Sequence, residues 1–435
     1  MHKGNVITAI DVGTDKVVTL IATYDEEHPR LRIVGVSAVS SSGVKRSMIV
    51  DLEAVLHSIE QSVDAAERMA GFSIESAYVS VSGQHIKSRN SNGVVAVAQP
   101  DQEITPLDVE RVIEAARAVS VPSEREIIHV VPRYFKVDSQ EGIRDPVGMA
   151  GVRLESEAHI ITGMSTSLRN LEKCLNDLGV NVDAFVFSGL AAAEATLTDT
   201  ERELGAVAFD IGAGTSSFCV YVDGVLEFSG SLPIGARHIT QDIAVGTHIS
   251  LDNAEKLKLA LKKLDKKLSP LPGESKREFN IRKKKLDVID LENLGIRENV
   301  EELSRSTLIK GIMMPRIEEI ITMLGEELDK KGLIKEVPAG IILSGGGAET
   351  VGLAEAAKIV LGLPSRVAQP KDLDGLIGEI RTPNYATSIG LLLFAKQQGG
   401  GQEMKSGVNF SEVFNKIHLD GIGQKVAKLF KSLLP

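Results

Sequence analysis

Two short stretches, each leading from an apolar strand into a turn rich in glycine and hydroxyl residues, carry residue types that bind phosphate. Residues 9–16 read AIDVGTDK and residues 206–216 read AVAFDIGAGTS, so the order Ala, Asp, Gly, Thr recurs with a two-residue gap. Glycine lets an anion approach the backbone N–H groups of a turn, and threonine hydroxyls add donors. A plain hairpin would explain either stretch alone. Two matching copies predict a pair of phosphate-binding hairpins that clamp one phosphate chain.

The two turns also supply a cation and two carboxylates. The Lys16 ammonium adds positive charge for terminal phosphates. A carboxylate at the end of each strand can hold Mg²⁺ through its water shell, which predicts Asp11 and Asp210 as the metal-holding pair. The predicted phosphate-binding residues are Gly13, Thr14, Asp15, Lys16, Gly212, Gly214, Thr215 and Ser216.

A third motif is typical of the sugar and base end of a nucleotide. Residues 341–353 read IILSGGGAETVGL, a strand followed by Gly345, Gly346 and Gly347. Three glycines allow a flat purine and its ribose to pack closely against backbone, although a glycine triplet alone is more often a tight turn. In this order, the three motifs favour a ligand that has a phosphate chain, a ribose and a purine.

The elements that position these motifs follow from hydrophobic periodicity. Strands are predicted at 6–10, 17–22 and 31–40, then a helix at 52–70 that Gly71 ends, then a strand at 77–82. This order is not a dinucleotide-binding unit, because the turn joins two strands rather than a strand and a helix. The second half repeats it, with strands at 206–209, 218–222, 225–232 and 341–343.

Residues 83–160 are predicted to form an inserted module. Extended stretches at 93–98 and 127–138 flank a helix from Pro106 to about residue 120, with Thr105 as its N-cap. A strand at 160–164 is expected to return the chain to the core. A helix at 167–177, closed by Gly179, is predicted to follow.

Composition describes a folded protein without an obvious affinity for nucleic acid. The chain has 435 residues, of which 43% are hydrophobic and 25% charged, and its net charge is −10. The apolar run near the N-terminus is interrupted by charges, and no apolar stretch is long enough to cross a bilayer. Cys174 and Cys219 lie in apolar surroundings and are expected to be free thiols.

These residues resemble the actin-like ATPase superfamily, whose members carry two phosphate hairpins, an adenosine motif and two connecting helices. The connecting helices are similar to FSGLAAAEATL at 187–197 and YATSIGLLLFA at 385–395, where small residues let two helices approach closely. The resemblance implies a duplicated, two-lobed α/β fold with ribonuclease-H-like halves. Glu255 and Lys258 resemble contacts to the adenosine end, or else form an ordinary exposed helix pair.

Within the superfamily, the chain resembles the FtsA family of bacterial cell-division proteins. The insertion carries the resemblance, in VSVSGQHIKSRNSNGVVAV at 79–97 and IIHVVPRYFKVDSQEGIRDPVGMAGVRLE at 127–155, which look like the family's 1C subdomain. MMPRIEEI at 313–320 is also similar. The chain departs from the family pattern at 262–285, where ten Lys and Arg stand against three Asp and Glu. That stretch is either a solvated helical face or a landing site for an acidic peptide or lipid.

The resemblance assigns the following domains. The first-lobe core (1A) is 1–82, completed by 161–197 and 380–395, with the 1C subdomain at 83–160. The second-lobe core (2A) is 198–237, completed by 305–379, with subdomain 2B at 238–304. A flexible linker, 396–421, precedes a C-terminal helix, 422–435.

The resemblance implies a filament protein of the division septum rather than an active enzyme. It implies ATP binding, self-assembly, and tethering of the tubulin-like FtsZ to the cytoplasmic face of the membrane. It also implies recruitment of later division proteins through the 1C subdomain. Arg316 is a candidate contact for the C-terminal peptide of FtsZ. No catalytic base is evident, since Glu194 could equally bond a loop, so any ATPase activity is expected to be weak and Mg-dependent.

The C-terminal residues have the pattern of a helix that lies on a membrane. Ile422, Val426, Leu429, Phe430 and Leu433 share one face, and Lys425, Lys428 and Lys431 lie away from it. Such a helix is too short to span a bilayer but suits the interface of anionic lipid. The other interpretation is that the helix docks on the protein's own body.

Two other functions remain open at this point. A sugar-kinase-type enzyme would share the fold, but no sugar-binding motif is evident. A pilus-assembly scaffold would share the 1C-type insertion, and the lysine-rich C-terminal helix argues against it.

Overall fold

The computed structural model describes residues 5–24, 30–97, 103–264, 270–297, 303–371, 373–376, 378 and 380–399. The predicted helix at 422–435 and the predicted linker beyond residue 399 lie outside the described residues. Among the helices of the described part of the chain, none is both long and apolar enough to span a membrane.

The strands are numbered in chain order. They are β1 (Asn5–Val12), β2 (Lys16–Tyr24), β3 (Leu31–Ser40), β4 (Val44–Lys45), β5 (Met48–Ile49), β6 (Ser76–Val81), β7 (Lys87–Ala96), β8 (Arg125–Val137), β9 (Gln140–Ile143), β10 (Arg153–Met164), β11 (Asn181–Phe187), β12 (Ala206–Ile211), β13 (Ser216–Val222), β14 (Val225–Leu232), β15 (Val288–Ile289), β16 (Leu303–Ser304), β17 (Gly340–Ser344), β18 (Ser365–Val367) and β19 (Leu373–Gly375).

The helices are numbered in the same way. They are α1 (Leu52–Ala70), α2 (Pro106–Arg117), α3 (Ser165–Asp177), α4 (Ser188–Thr196), α5 (Asp199–Leu204), α6 (Ala236–Thr247), α7 (Leu251–Leu264), α8 (Lys276–Asp287), α9 (Arg305–Thr307), α10 (Met314–Asp329), α11 (Leu353–Leu361) and α12 (Ala386–Gln397). A π-helical segment, Leu308–Met313, joins α9 to α10, and short 3₁₀ turns lie at Glu292–Leu294, Leu333–Glu336 and Pro383–Tyr385.

Both lobes contain the same strand arrangement. The first-lobe sheet has the order β11-β6-β1-β2-β3-β19, and the second-lobe sheet has the order β14-β13-β12-β17-β18. In each lobe three antiparallel strands are followed by two strands parallel to the first, β6 and β11 or β17 and β18. The predicted duplication, with its actin-like α/β lobes, is therefore confirmed.

The insertion forms a separate four-stranded sheet of order β7-β10-β8-β9, with α2 packed on it. Thr105 caps α2 as predicted, because its hydroxyl accepts from the Asp108 N–H and the Asp108 carboxylate accepts from the Thr105 N–H. Helix and strand approach closely at Gly93, where a Cβ would lie 2.1 Å from the Val112 carbonyl oxygen. Only glycine fits there.

The prediction that a strand at 160–164 returns the chain to the first-lobe core was wrong. Those residues are the end of β10, which pairs with β7 as far as Thr162 and with β8 as far as Met164. The apolar run signals burial but does not say which sheet buries it. The strand that does return to the first-lobe sheet is β11, which follows Gly179 and was not identified from the sequence.

Helices α4 and α12 pack against each other beneath the two sheets. A Cβ on Gly390 of α12 would lie 1.7 Å from the Ala191 carbonyl oxygen of α4, so the two backbones are in direct contact. Helix α4 also contacts β12 and β13, and α12 contacts β1 and β6. The predicted close approach of two small-residue helices is confirmed, and it places their starts near the ends of β1 and β12.

Candidate functional site

The two predicted phosphate turns have the same local geometry. The Gly13 N–H donates to the Lys16 carbonyl at 3.0 Å, and the Gly212 N–H donates to the Thr215 carbonyl at 2.9 Å. A Cβ on either glycine would lie 2.9 Å from the carbonyl oxygen that its own N–H contacts. The two halves of the molecule therefore need glycine at the same place for the same steric reason.

The two turns meet across the lobes. A Cβ on Gly214 of the second turn would lie 2.7 Å from the Thr14 hydroxyl oxygen of the first turn. Thr14 and Thr215 are both buried, whereas Asp15 at the tip of the first turn is exposed. Two turns that are distant in sequence thus lie in contact, with hydroxyls and backbone at their junction.

Ser47 joins the two turns and was missed by the sequence analysis. Its N–H donates to the Thr14 hydroxyl at 3.0 Å, and its own hydroxyl lies 2.8 Å from that of Thr215. Ser47 sits at the tip of the β4–β5 hairpin, where it and Arg46 have φ values of 58° and 49°. The stretch GVKRSM contains ordinary turn residues, so nothing in its composition signals a bridge between two lobes.

Asp11 and Asp210 are half-buried carboxylates near the ends of β1 and β12. Ser80 donates to Asp11 at 2.5 Å, and Ser344 donates to Asp210 at 3.0 Å. Burial raises the pKa of both groups, and burial together with the charge of Asp11 raises the pKa of Asp210 to about 7. The raised pKa values mean that protein neighbours only partly compensate the ionised forms of the two carboxylates.

Lys16 is held where it can offset some of that charge. Its ammonium donates to the Asn384 carbonyl at 2.9 Å and lies 4.3 Å from the centre of the Tyr385 ring. Burial lowers the pKa of Lys16, and the charges of Asp11, Asp210 and Asp15 oppose that shift. Neither Asn384 nor Tyr385 was predicted, because they follow a different strand, far along the chain.

The glycine triplet packs against the second phosphate turn. The Gly347 N–H donates to the Ile211 carbonyl at 2.8 Å, and Gly345 has a φ of 81° with its N–H bonded to the Pro383 carbonyl. A Cβ on Gly345 would lie 2.6 Å from the Ile211 carbonyl oxygen. Gly345 and Gly347 are thus explained by packing, and Gly346 has Asn384 Oδ1 as its nearest neighbour, 3.0 Å from where its Cβ would be.

Glu255 and Lys258 are paired on α7 and anchored to the start of α6. Lys258 donates to Glu255 at 2.7 Å and to the Thr240 hydroxyl at 2.9 Å. Helix α6 begins at Ala236, whose N–H donates to the Gly212 carbonyl of the second turn. The Lys258 side chain is 7% exposed, so Lys258 and Glu255 do not form the ordinary exposed helix pair that was one of the two interpretations of the sequence.

An open groove of about 440 Å³ lies between α7 and the segment after the glycine triplet. It is lined by Lys262, Ala348, Glu349, Thr350, Gln369 and Pro383, among others. The groove continues from the glycine triplet, which places it where a base or sugar could lie.

Ser216 is the predicted site residue that the geometry does not support. Its hydroxyl is buried and donates to the Ile234 carbonyl at 2.7 Å. Ser216 therefore fixes the strand that follows the second turn instead of presenting a donor to a ligand. The sequence could not separate these roles, because the position adjoins the turn in either case.

Comparisons with known proteins decide the family. Residues 83–162 match the family described as "SHS2 domain inserted in FTSA", and residues 207–390 match "Cell division protein FtsA". The chain is 35% identical over 413 residues to the Cell division protein FtsA of Pseudomonas aeruginosa, covering 94% of each chain. It is 37% identical over 401 residues to that of Borreliella burgdorferi, covering 92% of this chain and 93% of the relative.

This chain belongs to the FtsA family of cell-division proteins. A solved structure titled "PilM-PilN type IV pilus biogenesis complex" is also similar, with a TM-score of 0.61 and 15% identity over 89% of this chain and 98% of that chain. At that identity the likeness shows a shared fold alone. The relatives in sequence therefore favour the division family over the pilus-assembly alternative.

The FtsA-family site fits a magnesium nucleotide by the chemistry of its groups. Carboxylate oxygens such as those of Asp11 and Asp210 suit a hard cation, and the excess negative charge around them favours one. In the described part of the chain, no group of three or more His, Cys, Asp or Glu could hold a metal directly. Two carboxylates that act through bound water remain a suitable arrangement.

Two further residues that the sequence singled out, Arg316 and Glu194, lie outside the phosphate clamp. Arg316 on α10 makes a two-pronged ion pair with Asp242 of α6, at 2.7 and 3.1 Å, and also contacts Glu319. Glu194 accepts from Arg202 at 3.0 Å and from Gln397. Arg202, the partner of Glu194, stacks on Tyr221. Tyr221 pairs with Ala206, which lies at the start of β12, whereas Asp210 lies near the other end of that strand. Glu194 is therefore no base for the phosphate site.

Part of the basic stretch 262–285, which departs from the family pattern, forms an exposed helix. Helix α8 has no buried residue, and Arg282 makes a two-pronged contact with Glu274 at 2.7 Å. This agrees with a solvated helical face, and it leaves a landing site for an acidic partner as a prediction. The predicted membrane-binding residues Ile422, Lys425, Val426, Lys428, Leu429, Phe430, Lys431 and Leu433 lie outside the described residues.

Proposed function

We propose that this FtsA-family protein binds Mg-ATP between its lobes, assembles into filaments and tethers FtsZ filaments to the cytoplasmic membrane at the division site. The observation that carries the proposal is the meeting of two equivalent phosphate turns at Thr14 and Gly214, beside the half-buried Asp11 and Asp210. An arrangement duplicated in two lobes suits one ligand that both lobes grip.

Each part of the nucleotide has a matching set of residues. The turns at Gly13–Lys16 and 212–215 would hold the phosphates, with Lys16 opposite their charge. Asp11 and Asp210 would hold Mg²⁺ through water. Gly346, the Glu255–Lys258 pair and the groove beside α7 would receive the sugar and base. A bound magnesium ion would neutralise part of the phosphate charge.

Turnover of ATP is not required by this arrangement. The described carboxylate that the sequence offered as a base, Glu194, is bonded to Arg202 away from the turns. General-base catalysis needs a group within hydrogen-bond reach of the water that it activates. The nucleotide is therefore proposed to act chiefly by holding the lobes together, with hydrolysis slow or absent.

Membrane attachment is proposed to come from the C-terminal helix, with Ile422, Val426, Leu429, Phe430 and Leu433 inserted and its lysines facing anionic lipid. One short amphipathic helix binds weakly, because folding and immobilisation offset much of its apolar transfer energy. A filament that presents many copies binds far more firmly through multivalency. Assembly and membrane attachment should therefore depend on each other.

The contacts with other division proteins are proposed on α10 of the second lobe and on the 1C insertion. The FtsZ C-terminal peptide is proposed to dock near Arg316, whose ion pair with Asp242 joins α10 to α6 and would be rearranged by an acidic peptide. Later division proteins are proposed to bind the 1C insertion, and the neighbouring subunit is a second copy of this chain.

Vesicle co-sedimentation tests the tethering. The full chain and a chain that ends at Gly421 are spun with anionic liposomes and labelled FtsZ, with and without Mg-ATP. Tethering predicts that the full chain alone brings FtsZ into the vesicle pellet, and more so with ATP. If the truncated chain pellets FtsZ equally, the helix is no anchor and the proposal fails.

A further inference from the structure

The inserted sheet contacts the second lobe as well as the first lobe from which it emerges. Strands β7, β8 and β10 lie against β14, the edge strand of the second-lobe sheet. In the described residues β14 forms its ladder with β13, and no backbone ladder joins it to the insertion. Side chains therefore make this junction, which distinguishes it from a continuous sheet.

A buried histidine lies at the centre of the junction. His159 of β10 is 1% exposed, with Nδ1 2.7 Å from Asn90 Oδ1 and Nε2 2.8 Å from the Ser229 hydroxyl on β14. Ser88 of β7 donates to the Ser229 carbonyl at 2.6 Å. Burial and the charge of Arg133 keep the imidazole neutral by lowering the pKa of His159. Both ring nitrogens then have partners, one of them in the other lobe.

A buried arginine makes a second cross-lobe contact. The Arg133 side chain on β8 is 6% exposed and its guanidinium contacts Glu157 of the insertion and Glu227 of β14. The Glu157 and Glu227 side chains are partly exposed, but loss of either would leave the buried cation less compensated. Nearer the surface, Arg144 donates to Glu203 and to the Asp223 carbonyl, both at 2.8 Å.

The same strand, β8, also contacts the paired helices α4 and α12. His129 Nε2 accepts from the Phe187 N–H at 2.9 Å, immediately before α4 begins. The His129 ring lies 5.5 Å from the Phe394 ring on α12, edge to face. One strand of the insertion therefore contacts the second lobe through Arg133. Through His129 it also contacts the start of α4 and helix α12.

We propose that the insertion is a conformational transducer, docked on β14 by the His159–Ser229 and Arg133–Glu227 contacts, whose position follows the angle between the lobes. A nucleotide that draws the lobes together moves β14 relative to β8 and so changes this docking. By linkage, any ligand of the insertion that prefers one docked position alters nucleotide affinity by the same factor. The nucleotide-dependent part of this inference rests on the proposed function.

The first experiment needs no nucleotide. Amide hydrogen exchange is measured by mass spectrometry on the full chain as wild type, Ser229→Ala, Glu227→Gln and the control Glu141→Gln, which alters an exposed ion pair within the insertion. Docking predicts at least threefold faster exchange at 87–96 and 225–232 in the first two variants and unchanged rates in the control. Unchanged rates in both latch variants would overturn the docking.

The second experiment adds saturating Mg-AMPPNP, with binding itself measured separately by calorimetry. The transducer predicts that nucleotide changes exchange at 125–137 and 225–232 in the wild type, and that Glu227→Gln binds nucleotide but loses at least half of that change. Nucleotide binding without any response in the insertion would overturn the transducer and leave the proposed function intact. Absence of binding would overturn the proposed function and the transducer with it, while the first experiment still reports on docking.

Discussion

Asp210 is the residue whose ionisation couples the site to pH. Its carboxylate accepts from Ser344 and Thr387, lies near the charges of Asp11 and Lys16, and has a pKa of about 7. Because this value is above the unfolded one, Asp210 contributes stability that is fully present below about pH 4 and is lost as the pH rises through 7. A cation competes for the ionised form, so metal binding and protonation oppose each other.

Mg-ATP should bind more tightly at pH 8 than at pH 6, by about tenfold, because Asp210 is mostly protonated at the lower pH. Calorimetric titrations at both pH values check this. Asp210→Asn serves as the comparison, because the pH dependence of its affinity comes only from the nucleotide and from the other titratable groups. Equal pH dependence in the variant and the wild type would show that Asp210 does not titrate in this range.

Ser47→Ala should weaken nucleotide binding while leaving the fold intact. The substitution removes a hydroxyl contact between Ser47 and Thr215 at the junction of the lobes but keeps the backbone N–H that contacts Thr14. We expect about a fivefold loss of affinity, in line with about 1 kcal/mol for one hydrogen bond. Lys45→Ala on the same hairpin is the control. An unchanged affinity would remove Ser47 from the site.

The sequence was sufficient at this scale where a motif is contiguous. Thr14, Lys16, Gly212 and Gly214 could be assigned because each turn is a local pattern. Ser47 and Asn384 could not, because their roles depend on which distant segments the fold brings to the turns. The hydroxyl contact of Ser216 could not be predicted for the same reason, since the position of its acceptor Ile234 is set by the path of the chain after β14.

Among the elements, the paired helices α4 and α12 decide how rigidly the lobes are joined. Their backbones touch at Gly390, where even a methyl group would overlap the Ala191 carbonyl. Thr387, in the first turn of α12, donates to Asp210, and Asn384, just before it, accepts from Lys16. The start of α12 thus contacts residues from both lobes.

Gly390→Ala should destabilise the protein by about 1–3 kcal/mol, because the added methyl group forces the helices apart. Urea denaturation followed by circular dichroism measures the free energy of unfolding. Gly311→Ala is the matched control, since that glycine is exposed and a Cβ there would meet only the Thr307 methyl group at 3.9 Å. The two substitutions should differ in effect, and equal effects would mean that α4 and α12 are not in tight contact.

Element prediction succeeded for capped, periodic segments and failed where tertiary partners decide. Helix α1 runs from Leu52 to Ala70 as predicted, with Asp51 accepting from the Ala54 N–H at its start and Gly71 in a left-handed conformation at its end. Strand β10 was divided wrongly because burial in the inserted sheet and burial in the core give the same apolar run. The sheet to which a strand belongs is not encoded locally.

At the scale of the whole molecule, we propose that the two lobes close on one nucleotide and thereby favour assembly. The repeated strand order and the meeting of the two turns are the structural basis for it. The duplication could be predicted from the sequence, because both turns carry the same motif. The docking of the insertion on β14 could not be foreseen, because it depends on single side chains such as His159 and Arg133.

Vesicle binding should depend on assembly. At a concentration below that needed for filaments, the full chain should bind anionic vesicles at least tenfold more weakly than above it, because a monomer presents a single helix. Sedimentation over a concentration series, with filaments scored by light scattering, checks this. Equally tight binding by the monomer would contradict the dependence of attachment on assembly.

The most direct measurement is the calorimetric affinity for Mg-ATP of the wild type and of one variant in each turn. Lys16→Ala removes the cation of the first turn, and Gly214→Ala places a methyl group 2.7 Å from the Thr14 hydroxyl. Lys45→Ala is the control, and melting temperatures verify folding. We predict that both turn variants lose more than tenfold in affinity and that the control does not. Wild-type affinity in either variant would contradict the claim that both lobes grip one nucleotide.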